Sequence, residues 1–238
     1  MILRIKAYQE FACYRKPISY GFWESYPLPT ISNIRGWFHR VIEAKEYVPL
    51  SVGVTGCYKS VVYDLQTLIK FARVRNKKED SKRWDYLENF NCIMSRSPKY
   101  VANLYGVELI IYIKSSEDAL NRFKENVLLY EYPSIGRRED LVRIDSIDFF
   151  CPEEVDFSKQ PQRISYGIYL NKETSNRLNL EGINYRMNFK YDKNLLDKTG
   201  LRYFQKKDVV YVDSGIVKTG SSLFDRNYVR IVDLIGDL

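Results

Sequence analysis

The residues best placed to do chemistry in this chain lie in Tyr132-Pro-Ser-Ile-Gly-Arg-Arg-Glu-Asp140, a glycine turn that carries two adjacent arginines. Free backbone N–H groups beside two planar cations suit the oxygens of a bent phosphate backbone. Gly136 lets a phosphate approach the main chain closely, and Arg137 and Arg138 are forked donors able to clamp it. The competing reading is a structural turn in which the arginines pair with Glu139 or Asp140. A second basic turn, Tyr14-Arg-Lys-Pro17, presents Arg15 and Lys16 ahead of a proline that fixes the chain direction. A third group, Ser32 and Arg35, falls on the first turns of an expected helix, where unpaired N–H groups and the dipole favour an anion. With 37 Lys and Arg against 30 Asp and Glu, the formal net charge of +7 supports an anionic partner without naming it. RNA held by its backbone is the reading these groups share.

Other chemistries find less support. Cys13, Cys57, Cys92 and Cys151 are far apart and form no Cys-x-x-Cys, so inert thiols are expected rather than structural zinc or a disulfide framework. No metal or other cofactor is expected. Metal-independent RNA cleavage needs a base for the 2′-OH and an acid for the leaving oxygen, and histidine suits both roles. The chain has one histidine, His39, four residues after Arg35, whose charge favours a neutral imidazole. A lone histidine flanking a helix core is more often a packing residue, so catalysis is the minor reading. The neighbouring acids Glu139-Asp140 and Glu153-Glu154 would point to opposite faces of a strand, and metal-dependent cleavage therefore has no evident ligand set. The 20 Tyr and 12 Phe offer stacking surfaces for bases, although most tyrosines in such a chain are ordinary strand residues.

The elements that must position these groups follow from hydrophobic spacing. Residues 2–8 alternate as a strand, with Leu3, Ile5 and Ala7 on one face and Arg4, Lys6 and Tyr8 on the other. After Pro27 and Pro29, Thr30 is placed to cap a helix running to about Ala44, with an apolar stripe of Ile31, Ile34, Phe38, Val41 and Ile42. Ser32, Gly36 and His39 share one flank of that helix, where small residues permit another backbone to approach. Residues 48–68 read as strand with a break at Gly53 or Gly56, and residues 107–113 as a strand buried on at least one face. Ser115 or Ser116 then caps a helix carrying Ala119, Leu120, Phe123 and Val127, with Ser115 and Asp118 forming a capping box. Residues 141–149 return as a strand.

Between the second and third strands lies a basic segment with Arg73, Arg75, Lys77, Lys78, Lys82 and Arg83 against Glu79 and Asp80. It reads as an insertion extending through Trp84 and Tyr86, the plainer alternative being a solvated charged loop. The order strand, helix, strand, strand, helix, strand predicts an α+β chain built on the ferredoxin-like, RRM-like βαββαβ unit. The third strand lacks the glycine-aromatic pattern that stacks bases on the open sheet, so loops and helix ends are expected to hold RNA instead. After Pro152 the chain reads as turns and short strands, notably residues 183–191 and 208–213. The expected division is a ferredoxin-like unit over about residues 1–150 and a smaller β-rich region over about 151–238. No apolar run approaches the roughly 20 residues of a membrane span, and residues 1–6 are too short and charged for a signal peptide, so a cytoplasmic location is expected.

Three segments together, Tyr14-Arg-Lys-Pro17, Tyr26-Pro-Leu-Pro-Thr-Ile-Ser-Asn-Ile-Arg-Gly36 and Ile135-Gly-Arg-Arg-Glu-Asp-Leu-Val142, resemble the Cas-five family of CRISPR-associated proteins, closest to its type I-B branch. The resemblance covers roughly residues 1 to 150. It implies a RAMP-superfamily subunit at one end of a Cascade surveillance complex in antiviral defence, gripping the 5′ handle of the CRISPR RNA (crRNA). The basic insertion, about residues 71–104, would be a thumb touching RNA or the neighbouring backbone subunit. The large subunit would be a further partner, and target DNA an indirect one. A related branch cleaves repeat RNA without metal, which makes endoribonuclease the alternative to a non-catalytic clamp.

Overall fold

A computed structural model of the chain describes residues 1–17, 19, 21–73, 85–87, 90, 92–129 and 133–238. The architecture is α+β, with a mostly antiparallel sheet and few helices. Its main strands are β1 (Ile2–Ala12), β2 (Ser51–Cys57), β3 (Ser60–Arg73), β4 (Cys92–Lys114), β5 (Arg143–Phe150), β6 (Gly167–Asn171), β7 (Ile183–Tyr191) and β8 (Phe204–Val212). The helices among the described residues are α1 (Ile31–Val41), α2 (Glu117–Asn126) and the short α3 (Lys172–Arg177) and α4 (Lys193–Thr199). The main path through the sheet is β7-β8-β6-β2-β4-β1-β5, with β3 paired to the outer half of β4. Residues on both sides of Pro152 therefore build one sheet, since β6 pairs with β2 at Gly167–Gly56 and Ile235 pairs with Val52.

Local chemistry sets the helices. Thr30 caps α1: its side chain accepts from the Asn33 amide while the Asn33 side chain accepts from the Thr30 amide. The helix ends at Val41, three residues short of the sequence expectation, because Glu43 turns left-handed at φ +51° and the Glu43 and Ala44 amides bond back to the Arg40 and His39 carbonyls. Ile31, Ile34, Phe38 and Val41 are all buried against the sheet, each contributing about 1.5–3 kcal/mol. Phe38 stacks on Phe123 of α2 at 5.1 Å, and Trp37 meets the same ring edge-on at 5.0 Å. The expected capping box at α2 is not made. Ser116 is the N-cap without a side-chain bond, and Ser115 donates instead to the Pro49 carbonyl at 2.8 Å. The break expected at Gly53 or Gly56 falls after them, at Tyr58–Lys59 between β2 and β3.

The opposite sheet face is covered by the C-terminal residues. There Arg4 is buried, its guanidinium lying over the rings of Phe150 and Tyr228 and bonding both Asp225 oxygens at 3.0 and 3.1 Å. Tyr112 donates to the same carboxylate at 3.0 Å. Beyond the body of the sheet, β3 and β4 continue as a ribbon in unbroken register from Ser60–Tyr105 to Arg73–Cys92. Side chains alternate across such a ribbon, so Tyr63, Leu65, Ile69 and Phe71 share one face with Tyr100, and all of them are exposed.

Candidate nucleic-acid interface

The Gly-Arg-Arg turn is folded around the carboxylate of Asp140, which is 1% exposed. Its Oδ2 accepts the backbone N–H groups of Cys13 at 3.0 Å and Arg137 at 2.8 Å. The Arg137 guanidinium closes on the same group, with Nη2 donating to Oδ1 at 2.7 Å and Nε to both oxygens at 3.2 Å. Its remaining donors reach the ribbon base, Nη2 to Asn103 Oδ1 at 2.9 Å and Nη1 to Gln66 Oε1 at 3.2 Å. Gln9 on β1 donates to the carbonyls of Ile135 at 2.9 Å and Asp140 at 2.8 Å, and Tyr14 holds Gln9 at 2.7 Å. The turn is thereby fastened to β1, β3 and β4 at once. Charge-assisted bonds of this kind are strong where water is excluded. Burial opposes the Arg137 charge, but the bonds to Asp140 and its charge more than offset this and raise the arginine pKa. The nearby Cys13 thiol is pushed up to about 11 by desolvation, against the pull of Arg137. Gly136 has φ +111°, and a Cβ there would meet Asp140 Oδ2 at 2.7 Å, so the turn requires glycine.

The two arginines consequently diverge. The Arg137 side chain is 14% exposed and committed internally, including a 3.4 Å contact with Glu139. Arg138 is exposed and makes no hydrogen bond or ion pair among the described residues. It lines a cleft of about 460 Å³ between the turn and α1, together with Ser32, Gly36, Arg40, Ser134 and Gly136. Ser32, Gly36 and Arg40 recur every four residues, so one flank of α1 forms the wall facing Arg138. The expected residues Ser32, Gly136 and Arg138 thus meet in one place. Arg40, not the expected His39, completes the flank with Ser32 and Gly36, because i, i+4 spacing carries that row to residue 40 while His39 turns to the other flank beside Arg35.

The other expected residues lie elsewhere. Arg15 stacks over Trp23 at 4.2 Å and donates to the Ser19 carbonyl at 3.2 Å. Lys16 pairs with Glu24 at 2.6 Å and sits 5.5 Å from the Tyr185 ring. Both belong to the small hairpin in which Tyr14–Arg15 pairs with Ser25–Tyr26, and neither lines the cleft. Arg35 is buried on the other flank of α1. Of the insertion, Arg75, Lys77, Lys78, Lys82, Arg83 and Trp84 lie outside the described residues. Arg73 is described only as the last main-chain position of β3, and Tyr86 only as main chain within Asp85–Leu87.

His39 is held at both ring nitrogens. The Val48 amide donates to Nε2 at 3.0 Å, which leaves Nδ1 to carry the proton and donate to the Arg35 carbonyl at 2.8 Å. The ring stacks on Tyr47 at 5.5 Å. Burial holds its pKa below the ordinary 6.5, against the opposing bond to Arg35. No three His, Cys, Asp or Glu residues cluster to hold a metal among the described residues. Cys13 is buried, Cys57 and Cys151 are exposed, and all four cysteines are free. No helix among the described residues is long and apolar enough to cross a membrane.

Above pH 6.5 the imidazole is neutral whether the chain is folded or not; below it, the unfolded chain takes up a proton that the folded ring resists. Stability therefore falls as pH drops from 6.5 towards the folded pKa, and the single histidine should titrate below 6.5 by proton NMR. A midpoint at or above 6.5 would contradict the burial of the ring as the dominant influence on it. In urea unfolding, Arg137→Ala is expected to cost about 3–5 kcal/mol by leaving Asp140 buried and uncompensated. Arg138→Ala should stay within about 0.5 kcal/mol of the parent, as surface substitutions do. Equal stability of the two variants would remove the turn's organising pair.

No protein-family model matches the sequence, and no curated protein sequence matches it. Solved structures do resemble the fold. A chain of a "CRISPR RNA-guided surveillance complex" is similar with a TM-score of 0.53 and 11% identity, over 91% of each chain. "Crystal structure of Cas protein" gives a TM-score of 0.47 and 10% identity over 97% of this chain and 98% of that one. "Crystal structure of a CRISPR protein from Archaeoglobus fulgidus" gives 0.42 and 11% over 99% and 98%. At 11% identity, the likeness to the surveillance-complex chain is one of fold.

Proposed function

We propose that this chain is a non-catalytic RNA-binding and scaffolding subunit of a CRISPR surveillance complex, a type I Cascade with the type I-B resemblance of its motifs. The observation that carries this is the cleft in which exposed Arg138 and Gly136 face the Ser32–Gly36–Arg40 flank of α1. There a single-stranded RNA backbone meets cations and an open helix flank, with no side chain at either glycine to block it. The 5′ handle of crRNA is the RNA assigned to it. The fold shared with a chain of an RNA-guided surveillance complex supports that setting.

The sheet order β2-β4-β1-β5, with α1 and α2 on one face, reads as the ferredoxin-like unit of residues 1–150. The C-terminal region, residues 151–238, extends that unit's sheet. The thumb expected at about residues 71–104 falls on the β3–β4 ribbon, which begins earlier, at Ser60; the ribbon's exposed stripe of Tyr63, Leu65, Ile69, Phe71 and Tyr100 fits packing against a neighbouring backbone subunit. A large subunit, and target DNA through it, complete the partners, and the assembly works in the cytoplasm. The occupied nitrogens of His39 support the non-catalytic reading over a metal-independent endoribonuclease, since neither is free to accept a 2′-OH proton.

Fluorescence anisotropy with a labelled single-stranded RNA from the 5′ portion of the cognate repeat, read at several salt concentrations, tests the cleft. Arg138→Ala should weaken binding and reduce the logarithmic salt slope by about 0.7 for one lost phosphate contact. An unchanged affinity and slope would take RNA out of the cleft.

A further inference from the structure

The other flank of α1 opens into a second pocket, of about 600 Å³, that the cleft assignment does not use. Five cations line it: Arg35 from α1, Lys45 from the following loop, Lys190 at the end of β7, Lys193 on α4, and Arg202 before β8. Against them stand two carboxylates, Glu46 in the lining and Asp237 beside it. Asp237 is already engaged, with one oxygen 2.9 Å from Lys190 and the other accepting the Tyr47 hydroxyl. The pocket thus carries an excess of positive charge that no internal anion balances.

Arg35 gives the excess a direction. The residue is only 8% exposed, yet its Nε and Nη1 have no hydrogen-bond partner among the described residues. Its guanidinium lies over the rings of Tyr47 at 5.2 Å and Phe189 at 5.5 Å, which orient the fork without satisfying its donors. A buried, unpaired charged donor is costly, and the cost is removed by an acceptor with several anionic oxygens. Burial lowers the Arg35 pKa, and Asp237 opposes this only in part. Tyr191, under Arg202 at 5.3 Å, and Tyr47 add aromatic surface at the rim. The volume exceeds what a lone phosphate needs and is in the range of small-ligand sites of about 300–1,000 Å³.

We propose that this pocket binds a phosphate group carried on a nucleotide, with Arg35 as the deep fork, Lys193 and Arg202 as outer cations and the Tyr191 ring against the base or ribose. Two sources share that chemistry: a free mononucleotide, or one unit of an RNA strand. Gly36 lines both this pocket and the cleft on the other flank, and a Cβ there would meet nothing within 4 Å. A strand lying in the cleft can therefore cross α1 over Gly36 and deliver its next phosphate to Arg35. Only this RNA source rests on the proposed function; the site itself does not.

Calorimetric titration of the full chain with adenosine 5′-monophosphate, and anisotropy with hydroxyl-ended single-stranded RNA, separate the sources. The double variant Lys193→Ala/Arg202→Ala alters only exposed side chains, and Arg35→Lys keeps the charge but loses the fork. Arg163→Ala/Lys218→Ala removes equal charge outside the pocket and serves as the control. Mononucleotide binding weakened about tenfold in both pocket variants, but not in the control, supports the site with a free nucleotide as ligand. It does so even if RNA fails to bind, a result that would sink only the RNA reading. RNA binding weakened about tenfold in the pocket variants and not in the control supports the site with RNA as its source. Pocket variants that bind both probes like the parent overturn the proposal, and so does a parent chain that binds neither.

Discussion

The carboxylate of Asp140 cannot be left alone in the interior, and much of the structure is arranged around satisfying it. Two backbone amides and the Arg137 fork take up its oxygens, and the same fork continues to Asn103 and Gln66. One buried charge pair therefore fixes the turn after α2, the end of β1 and the base of the ribbon relative to one another. Its value lies in position rather than net stability, since a buried ion pair gains little over a packed apolar alternative. Removing one member, however, strands the other.

That fixed turn decides which cations are available. Arg137 is consumed in building the site, so Arg138 is the guanidinium presented to solvent beside Gly136. Helix α1 is used on three sides. Its apolar stripe packs on the sheet, one flank faces Arg138 across the cleft, and the other places Arg35 and His39 against the loop before β2 and the end of β7. His39 spends both nitrogens on that second junction, bonding the loop at Val48 and its own helix at Arg35. The histidine thereby fastens the loop before β2 to α1.

What was legible in the sequence was what repeats locally. The stripe of α1, the Ala119, Leu120 and Phe123 face of α2 and the inward set Leu3, Ile5 and Ala7 are all buried, because each follows from a single-element period. Features set by distant partners were not legible. Arg4 alternates with the inward residues onto the other face, and nothing local shows that Asp225, 221 residues away, pairs with it there in the interior. Pairing of the arginines with Asp140 was foreseeable as an alternative to phosphate binding, but not which arginine would pair. That choice is made by Asn103 and Gln66, which reach Arg137 from strands 34 and 71 residues distant in sequence. The Arg35 pocket went unseen for the same reason, since Lys190, Lys193 and Arg202 come from a region whose pattern showed only turns and short strands.

The most direct test of the central claim, that RNA lies between α1 and the Asp140-centred turn, is photocrosslinking. Single-stranded repeat RNA carrying 4-thiouridine would be irradiated with the intact chain, and the modified peptides mapped by mass spectrometry. The expected crosslinks fall in the peptides spanning residues 32–40 and 133–138, next to the cleft. Crosslinks confined to the opposite sheet face, around Tyr228 and Arg230, would contradict the account.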